Sequence, residues 1–227
     1  MSEDMRNNLV RWIPWKEEQN VLYFGVGPDA FSIEIGERVN TVTCVDPEQI
    51  AISDYLKQCD KKFDVILMAN VLRHSGDLCD STEVLLSCKK CLSDGGQIII
   101  ACDNPLGMRY WAGMNQGKSG EMSFFSRIQG VDTEASSYEF TKSELEKMII
   151  DAGLVCDEFY YPYPNTAFPM AIYSDSYLPH KGELNINNYY MGVEHMELFD
   201  QTKAYDTVIS EGMFPFFSNS YMVMLHA

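Results

Sequence analysis

The stretch from Val21 to Asp46 constrains the fold of this 227-residue chain more than any other. Val21 to Phe24 is a short apolar run without a helical stripe, which is typical of a strand buried on both faces of a parallel sheet. Gly25 and Gly27 follow at the point where the backbone has to turn. A helical segment and a second apolar strand ending at Asp46 complete the pattern. The stretch therefore predicts a strand, a glycine turn, a helix and a strand.

The same stretch carries the features of a nucleotide-type site. Glycines at 25 and 27 let main-chain N–H groups approach a ligand closely, and a helix over residues 29–39 points its positive N-terminal end at the same place. Asp46 closes the second strand, where a carboxylate can accept two ribose hydroxyls. A glycine turn in some other α/β protein stays open as the alternative at this point, because a lone G-x-G is a weak signal.

Composition narrows the class of partner. The chain has 17 Lys and Arg against 33 Asp and Glu, a formal net charge of -16, which opposes the phosphate neutralisation that nucleic-acid binding requires. We therefore expect no nucleic-acid partner. No apolar run approaches membrane-spanning length, so we expect no membrane insertion. With 46% hydrophobic residues and no linker, residues 1–227 are expected to form a single domain.

The cysteines favour a reducing compartment. There are seven, an odd number without regular spacing, behind a polar N-terminal segment, and this pattern predicts a cytoplasmic location. Cys88 and Cys91 form a C-x-x-C on a helix, without a second pair or nearby histidines. The motif therefore favours packing over metal binding, and no metal site is predicted.

The rest of the chain alternates between strands and helices. Its predicted strands are 63–69, 97–102, 154–161 and 220–225, and its predicted helices are 47–58, 81–92, 141–153 and 197–211. Two segments rich in glycine, proline and aromatic residues, 103–140 and 162–200, are expected to run over the ligand face. This alternation, with crossovers long enough for parallel pairing, predicts the doubly wound α/β class.

Several motifs resemble those of the class I S-adenosylmethionine-dependent methyltransferases. The glycine turn 25–27, the acid Asp46, the strand 63–69 running into Asn70-Val71-Leu72, and the turn 92–96 before a strand occur in that family's order. The resemblance implies a Rossmann-like methyltransferase fold, with a mostly parallel sheet and an antiparallel last strand. It also implies S-adenosylmethionine as the cofactor, bound by Gly25, Gly27, Asp46 and Asn70.

Further segments look like a bacterial subgroup of that family. These segments are residues 103–113, 140–153, 161–164 and 173–175. Members of the subgroup are found beside, or fused to, enzymes of cell-surface glycan assembly. The resemblance implies a small-molecule or glycan-type acceptor and an association with glycan-assembly enzymes.

Three departures from the family pattern predict impaired cofactor binding. Tyr23 stands where the family usually has an acidic residue, and Asp29 stands where it has a third glycine. Only 16 residues separate Asp46 from Phe63, about half of what a helix, a third strand and a second helix need. The third strand is therefore expected to be missing. The sheet should have six strands with residues 41–46 at one edge, and helix 47–58 should lie on the face opposite helix 29–39.

His74 and Asp103 are the candidates for catalysis. If the acceptor is a hydroxyl, His74, on the loop after the strand 63–69, is the best placed general base, with a solvent-exposed loop histidine as the alternative. Asp103 and Asn104 leave the next strand and could face the acceptor, or could cap the start of a loop. Asn70-Val71-Leu72 lacks the proline pair and aromatic of adenine and amide N-methyltransferases, which argues against that acceptor class.

The sequence leaves two functions open. The first is a methyltransferase acting on a small molecule or a glycan-type acceptor. The second is a catalytically inactive protein of the same fold that serves as a binding or regulatory partner, because function is determined by the site rather than by the fold. A third interpretation, a nicotinamide-dependent dehydrogenase, has less support because the turn at Gly25 and Gly27 lacks the later glycine of the dinucleotide-binding motif.

Overall fold

The computed structural model contains one mixed β-sheet with helices on both faces. It describes residues 3–25, 27–72, 78–113, 139–186 and 198–227. The seven strands are β1 (Asn20–Phe24), β2 (Thr41–Val45), β3 (Phe63–Ala69), β4 (Leu92–Asp103), β5 (Val155–Tyr163), β6 (Ala171–Ser174) and β7 (Ser220–His226). Their order across the sheet is β2-β1-β3-β4-β7-β5-β6.

Nine helices flank or connect these strands in the described part of the chain. They are α1 (Glu3–Arg6), α2 (Asn8–Arg11), α3 (Ala30–Gly36), α4 (Ile52–Gln58), α5 (Leu78–Lys90), α6 (Met108–Trp111), α7 (Lys142–Asp151), α8 (Gln201–Ser210) and α9 (Phe214–Phe217). No helix in these ranges combines the length and the apolarity needed to cross a bilayer.

The strand directions confirm the predicted fold class. β1 to β4 pair in parallel, and β7 runs antiparallel between β4 and β5. The chain passes from β2 to β3 through α4 alone, so the family's third strand is missing as predicted. β2 consequently lies at one edge of the sheet.

The prediction of six strands is wrong. A seventh strand, β6, pairs antiparallel with β5 at the edge opposite β2. It lies within the segment 162–200, which we expected to run over the ligand face. β6 is only four residues long and each of them is half-buried, so it has neither the length nor the alternation that marks a strand in sequence.

The sheet separates two apolar layers, as the crossover rule requires. Alternate residues of the central strands point to opposite faces. Phe31 and Ile35 of α3 pack in one layer, whereas Ile52 and Leu56 of α4 pack in the other. The two helices therefore lie on opposite faces, which confirms that prediction.

Local capping also follows the sequence. The Thr141 hydroxyl accepts a hydrogen bond from the Glu144 N–H, and the Glu144 carboxylate accepts one from the Thr141 N–H at 2.8 Å. This reciprocal pair fixes the start of α7. Gly153 follows the end of α7 with a φ of 62°, a left-handed conformation that glycine adopts without strain.

Candidate functional site

Four of the predicted site residues lie in a row along one edge of the sheet. Gly25 follows β1, Asp46 follows β2, Asn70 follows β3 and Asp103 ends β4. These four strands are parallel neighbours in register, so their carboxyl ends meet at the same edge. This is where ligands bind in open α/β sheets.

Both glycines of the turn are in close contact with side chains of the protein itself. A Cβ atom on Gly25 would lie 2.2 Å from Cζ of Tyr23, and one on Gly27 would lie 2.6 Å from Sγ of Cys44. Real Cβ atoms do not approach other atoms so closely. A larger residue at either position would therefore require a neighbouring side chain of the protein to move, independently of any ligand.

Asp29 has a structural role at the start of α3. Its carboxylate accepts a hydrogen bond of 2.9 Å from the Ser32 N–H and one of 2.8 Å from the Tyr23 hydroxyl, and Arg6 approaches to 3.9 Å. Burial, and then the nearby Asp29, raise the pKa of Tyr23 above its ordinary value. The residue in place of the family's third glycine thus caps a helix.

Asp46 keeps hydrogen-bonding capacity for a ligand. Oδ1 accepts from the Glu48 N–H and Oδ2 from Nε2 of Gln49, each at 2.9 Å. Because a carboxylate oxygen has two lone pairs, each oxygen can accept one more hydrogen bond. The half-buried Asp46 is therefore chemically suited to accept two ribose hydroxyls.

Asn70 and Asp103 are joined through a third residue that the sequence did not indicate. The side-chain Nδ2 of Asn70 donates a hydrogen bond of 2.8 Å to the Thr166 hydroxyl, which donates one of 3.3 Å to Oδ1 of Asp103. The Ser220 hydroxyl donates to the same carboxylate oxygen at 2.9 Å. Thr166 lies in the connection from β5 to β6, so the additional strand and its turn contribute directly to the site.

The other oxygen of Asp103 pairs with a buried arginine. Nη2 of Arg109 lies 2.9 Å from Oδ2 of Asp103, and Arg109 is only 3% exposed. Burial disfavours the charged guanidinium, but the attraction of Asp103, Tyr110 and Glu139 outweighs this effect and raises the pKa of Arg109. Both oxygens of Asp103 are consequently engaged by side chains of the protein.

Asn104 caps the start of a loop, as the second of the two alternatives from the sequence predicted. Its side-chain oxygen accepts from the Leu106 N–H at 3.0 Å, and its Nδ2 donates to the Phe216 and Ser218 carbonyls. Asn104 is fully buried and ties the exit of β4 to the segment before β7. The catalytic candidate His74 lies outside the described residues. Val26, between the two glycines of the turn, also lies outside them.

A groove in the described part of the chain lies away from this row of residues. It has a volume of about 530 Å³ and runs between α2 and the β5–β6 pair, lined by Trp12, Tyr160 and Met170 among others. None of the five predicted site residues within the described ranges lines it. Cys88 and Cys91 are buried in the apolar layer that contains α4.

The fold and the strand-end row together define a Rossmann-like methyltransferase fold, and solved structures agree. The CcbJ methyltransferase from Streptomyces caelestis matches with a TM-score of 0.55 at 14% sequence identity, covering 100% of this chain and 90% of its own. A SAM-dependent methyltransferase from Archaeoglobus fulgidus matches with a TM-score of 0.52 at 16% identity, covering 99% and 94% of the two chains.

A third similar structure is an S-adenosylmethionine-dependent methyltransferase from Clostridium acetobutylicum. Its TM-score is 0.51 at 9% identity, over 99% of this chain and 92% of its own. No protein-family model and no curated protein sequence matches the chain. At these identities the likeness establishes the fold alone, and it confirms the class I methyltransferase fold predicted from the sequence.

Proposed function

We propose that the protein is an S-adenosylmethionine-dependent methyltransferase that acts on a small-molecule acceptor. The observation that carries this proposal is the row of Gly25, Asp46, Asn70 and Asp103 at the carboxyl ends of neighbouring strands, in a chain with the class I methyltransferase fold. The cofactor, when bound, supplies an electrophilic methyl group. The protein's contribution to such an in-line displacement is chiefly orientation.

Each residue of the row has a distinct proposed role. The turn at Gly25 and Gly27 lets the backbone lie close to the ligand, and Asp46 accepts the ribose hydroxyls with its two remaining lone pairs. Asn70 is proposed to contact the cofactor from the end of β3. These donors and acceptors suit a polar nucleoside cofactor.

Proton removal is assigned to His74 rather than to Asp103. Both oxygens of Asp103 are engaged, one by Arg109 and one by the Ser220 and Thr166 hydroxyls. These contacts tie Asp103 to the surrounding chain, so we assign it the role of an anchor for the site. His74 remains the proposed general base for a hydroxyl acceptor.

Cofactor binding is proposed to be weak. The ring of Tyr23 lies against Gly25, at the position where the resembled family has an acidic residue that holds the cofactor. The strand that would follow β2 in that family, and that would complete the adenine side of the site, is missing between β2 and β3. Each lost polar contact is worth roughly 1 to 3 kcal/mol. Two or three together shift a micromolar dissociation constant to about the millimolar range, because each 1.4 kcal/mol is tenfold.

The narrower proposals concern the acceptor and the setting. The motif resemblance of segments 103–113, 140–153, 161–164 and 173–175 supports a glycan-type acceptor and association with glycan-assembly enzymes. The seven cysteines without regular spacing support a cytoplasmic location. A second candidate function is a non-catalytic binding protein of the same fold. It is favoured by the internal contacts of Tyr23 and Cys44 with the two glycines, which account for the turn without a ligand.

Titration with S-adenosylhomocysteine tests the proposal, with Asp46 as the variant. Asp46→Ala should weaken binding about tenfold or more, because it removes a carboxylate that accepts ribose hydroxyls. Asp54→Ala is the matched control, since Asp54 is an exposed acid on α4 that pairs only with Lys57 at 3.6 Å among the described residues. No binding by the wild type would reject the methyltransferase assignment and favour the non-catalytic candidate, whereas equal affinities of the wild type and Asp46→Ala would reject the proposed role of Asp46.

A further inference from the structure

The hydrogen-bond chain through Thr166 has a direction, and the Arg109–Asp103 pair sets it. A carboxylate paired with a buried guanidinium is ionised and can only accept hydrogen bonds. The 3.3 Å contact between Thr166 and Asp103 is therefore a bond in which the hydroxyl donates its proton. Since a hydroxyl has a single proton, the Thr166 oxygen can only accept from its other neighbour.

This direction fixes the orientation of the Asn70 amide. The side-chain group 2.8 Å from the Thr166 oxygen has to be a donor, so it is the Nδ2 amino group. Amide oxygen and nitrogen are otherwise hard to tell apart, and only the surrounding network assigns them. The carbonyl oxygen Oδ1 of Asn70 consequently faces away from Thr166.

Asn70 Oδ1 is buried and has no hydrogen-bond partner in the described part of the chain. A buried carbonyl without a donor is costly and calls for an explanation. Asn70 is also the non-glycine residue with a positive φ, 59°, within the described ranges. Such strained conformations cluster at ligand sites. Along the row of strand ends, Asn70 lies between the glycine turn and Asp103.

We infer that Thr166 is a positioning residue for the cofactor. By holding the amino group of Asn70, Thr166 presents Oδ1 as a hydrogen-bond acceptor for the α-ammonium group at the amino-acid end of S-adenosylmethionine. This inference rests on the proposed function and deepens it. It assigns a role in cofactor recognition to the connection between β5 and β6, which leads to the strand that the sequence did not predict.

Two probes separate this contact from the rest of the site. S-adenosylhomocysteine has the α-ammonium group, whereas 5′-methylthioadenosine has the same nucleoside thioether without the amino-acid end. Thr166→Val keeps the shape of the side chain but removes the hydroxyl. The variant should bind S-adenosylhomocysteine about tenfold more weakly than the wild type and bind 5′-methylthioadenosine with unchanged affinity. Thr166→Ser should restore the wild-type affinity for S-adenosylhomocysteine. Ligand-detected NMR measures the dissociation constants of both probes.

A second variant removes the acceptor itself. Asn70→Gly should reproduce the selective loss, because glycine adopts a φ of 59° without strain and the backbone is retained even if Thr166→Val does not fold. Thr207→Val, an exposed threonine on α8, is the control and should bind both probes like the wild type.

The outcomes distinguish this inference from the proposed function. If the wild type binds neither probe, both fail. If the wild type binds S-adenosylhomocysteine and Thr166→Val or Asn70→Gly binds it equally well, only the role of Thr166 and Asn70 is overturned. An equal loss for both probes would also overturn it, because a general distortion of the site does not discriminate against the ammonium group.

Discussion

The Tyr23 hydroxyl donates a hydrogen bond of 2.8 Å to the Asp29 carboxylate, joining the end of β1 to the start of α3. In the sequence these two residues stand out as departures from the motif of the resembled family, and in the structure they are hydrogen-bond partners. The tyrosine donates a hydrogen bond to the carboxylate, and the carboxylate caps the N-terminus of α3. The two departures therefore form one local arrangement and are expected to depend on each other.

Removing this hydrogen bond should cost stability. Tyr23→Phe keeps the ring against Gly25 but leaves the Asp29 carboxylate with one donor fewer, so the free energy of unfolding should fall by about 1 to 2 kcal/mol. Urea unfolding measures it. The control is Tyr177→Phe, at a tyrosine that is 61% exposed, which should change stability by less than about 0.5 kcal/mol. Equal effects of the two substitutions would contradict a stabilising role for the bond.

Stability should fall at alkaline pH, partly through Tyr163. Burial raises the pKa of Tyr163 to about 12. An unfolded tyrosine has a pKa of about 10, so the folded protein holds this proton more tightly. The resulting stabilisation is complete below about pH 10 and is lost as the pH rises towards 12. Between about pH 8 and about pH 11 the loss from Tyr163 is about 1.4 kcal/mol.

Tyr163→Phe tests this linkage. The variant has no proton to lose, so its unfolding free energy should decline less steeply between the two pH values than that of the wild type. The variant also lacks the hydrogen bond that the Tyr163 hydroxyl donates to the Ile186 carbonyl. Because this bond is lost at both pH values, its loss lowers the unfolding free energy but does not change its dependence on pH. Identical slopes would show that Tyr163 titrates alike in the folded and unfolded states.

Asp103→Asn should destabilise the fold strongly. The substitution removes the carboxylate that pairs with the buried Arg109 guanidinium at 2.9 Å, and breaking a buried ion pair typically costs about 3 to 5 kcal/mol. Asp157→Asn, at a side chain that is 80% exposed, is the control and should cost little. A loss below about 1 kcal/mol for Asp103→Asn in urea unfolding would contradict the anchoring role.

His74→Ala should lower turnover if the acceptor is a hydroxyl. The usual contribution of a general base predicts a decrease of about a hundredfold or more, without a change in cofactor affinity. Steady-state rates and S-adenosylhomocysteine titration on the same preparation measure the two quantities. Unchanged turnover would assign His74 to the solvent-exposed loop alternative.

Much of the fold could be predicted from short-range patterns. Val21–Phe24 and Phe63–Ala69 are continuous apolar runs because strands in the middle of a parallel sheet are buried on both faces. The missing third strand followed from chain length, since the segment between Asp46 and Phe63 has room for one helix only. β6 was missed because an edge strand of four half-buried residues has no pattern of its own.

The site was predictable only where it follows the strand ends. Gly25, Asp46, Asn70 and Asp103 could be placed because their strands could. Thr166 could not, because it lies 96 positions after Asn70 in the sequence and meets it only through the pairing of β5 with β7. No signal marks a single threonine in a proline-rich turn. The engagement of Asp103 by Arg109 was equally invisible, since it depends on burial.

The most direct test of the account is calorimetric titration of the purified wild-type protein with S-adenosylmethionine and S-adenosylhomocysteine. The row of strand-end residues predicts saturable binding of both, and the arrangement of Tyr23 and Asp29 predicts dissociation constants between about 0.1 and 1 mM. The absence of saturable binding would contradict the methyltransferase assignment. A dissociation constant of about a few micromolar or tighter would contradict the proposed weakness of the site.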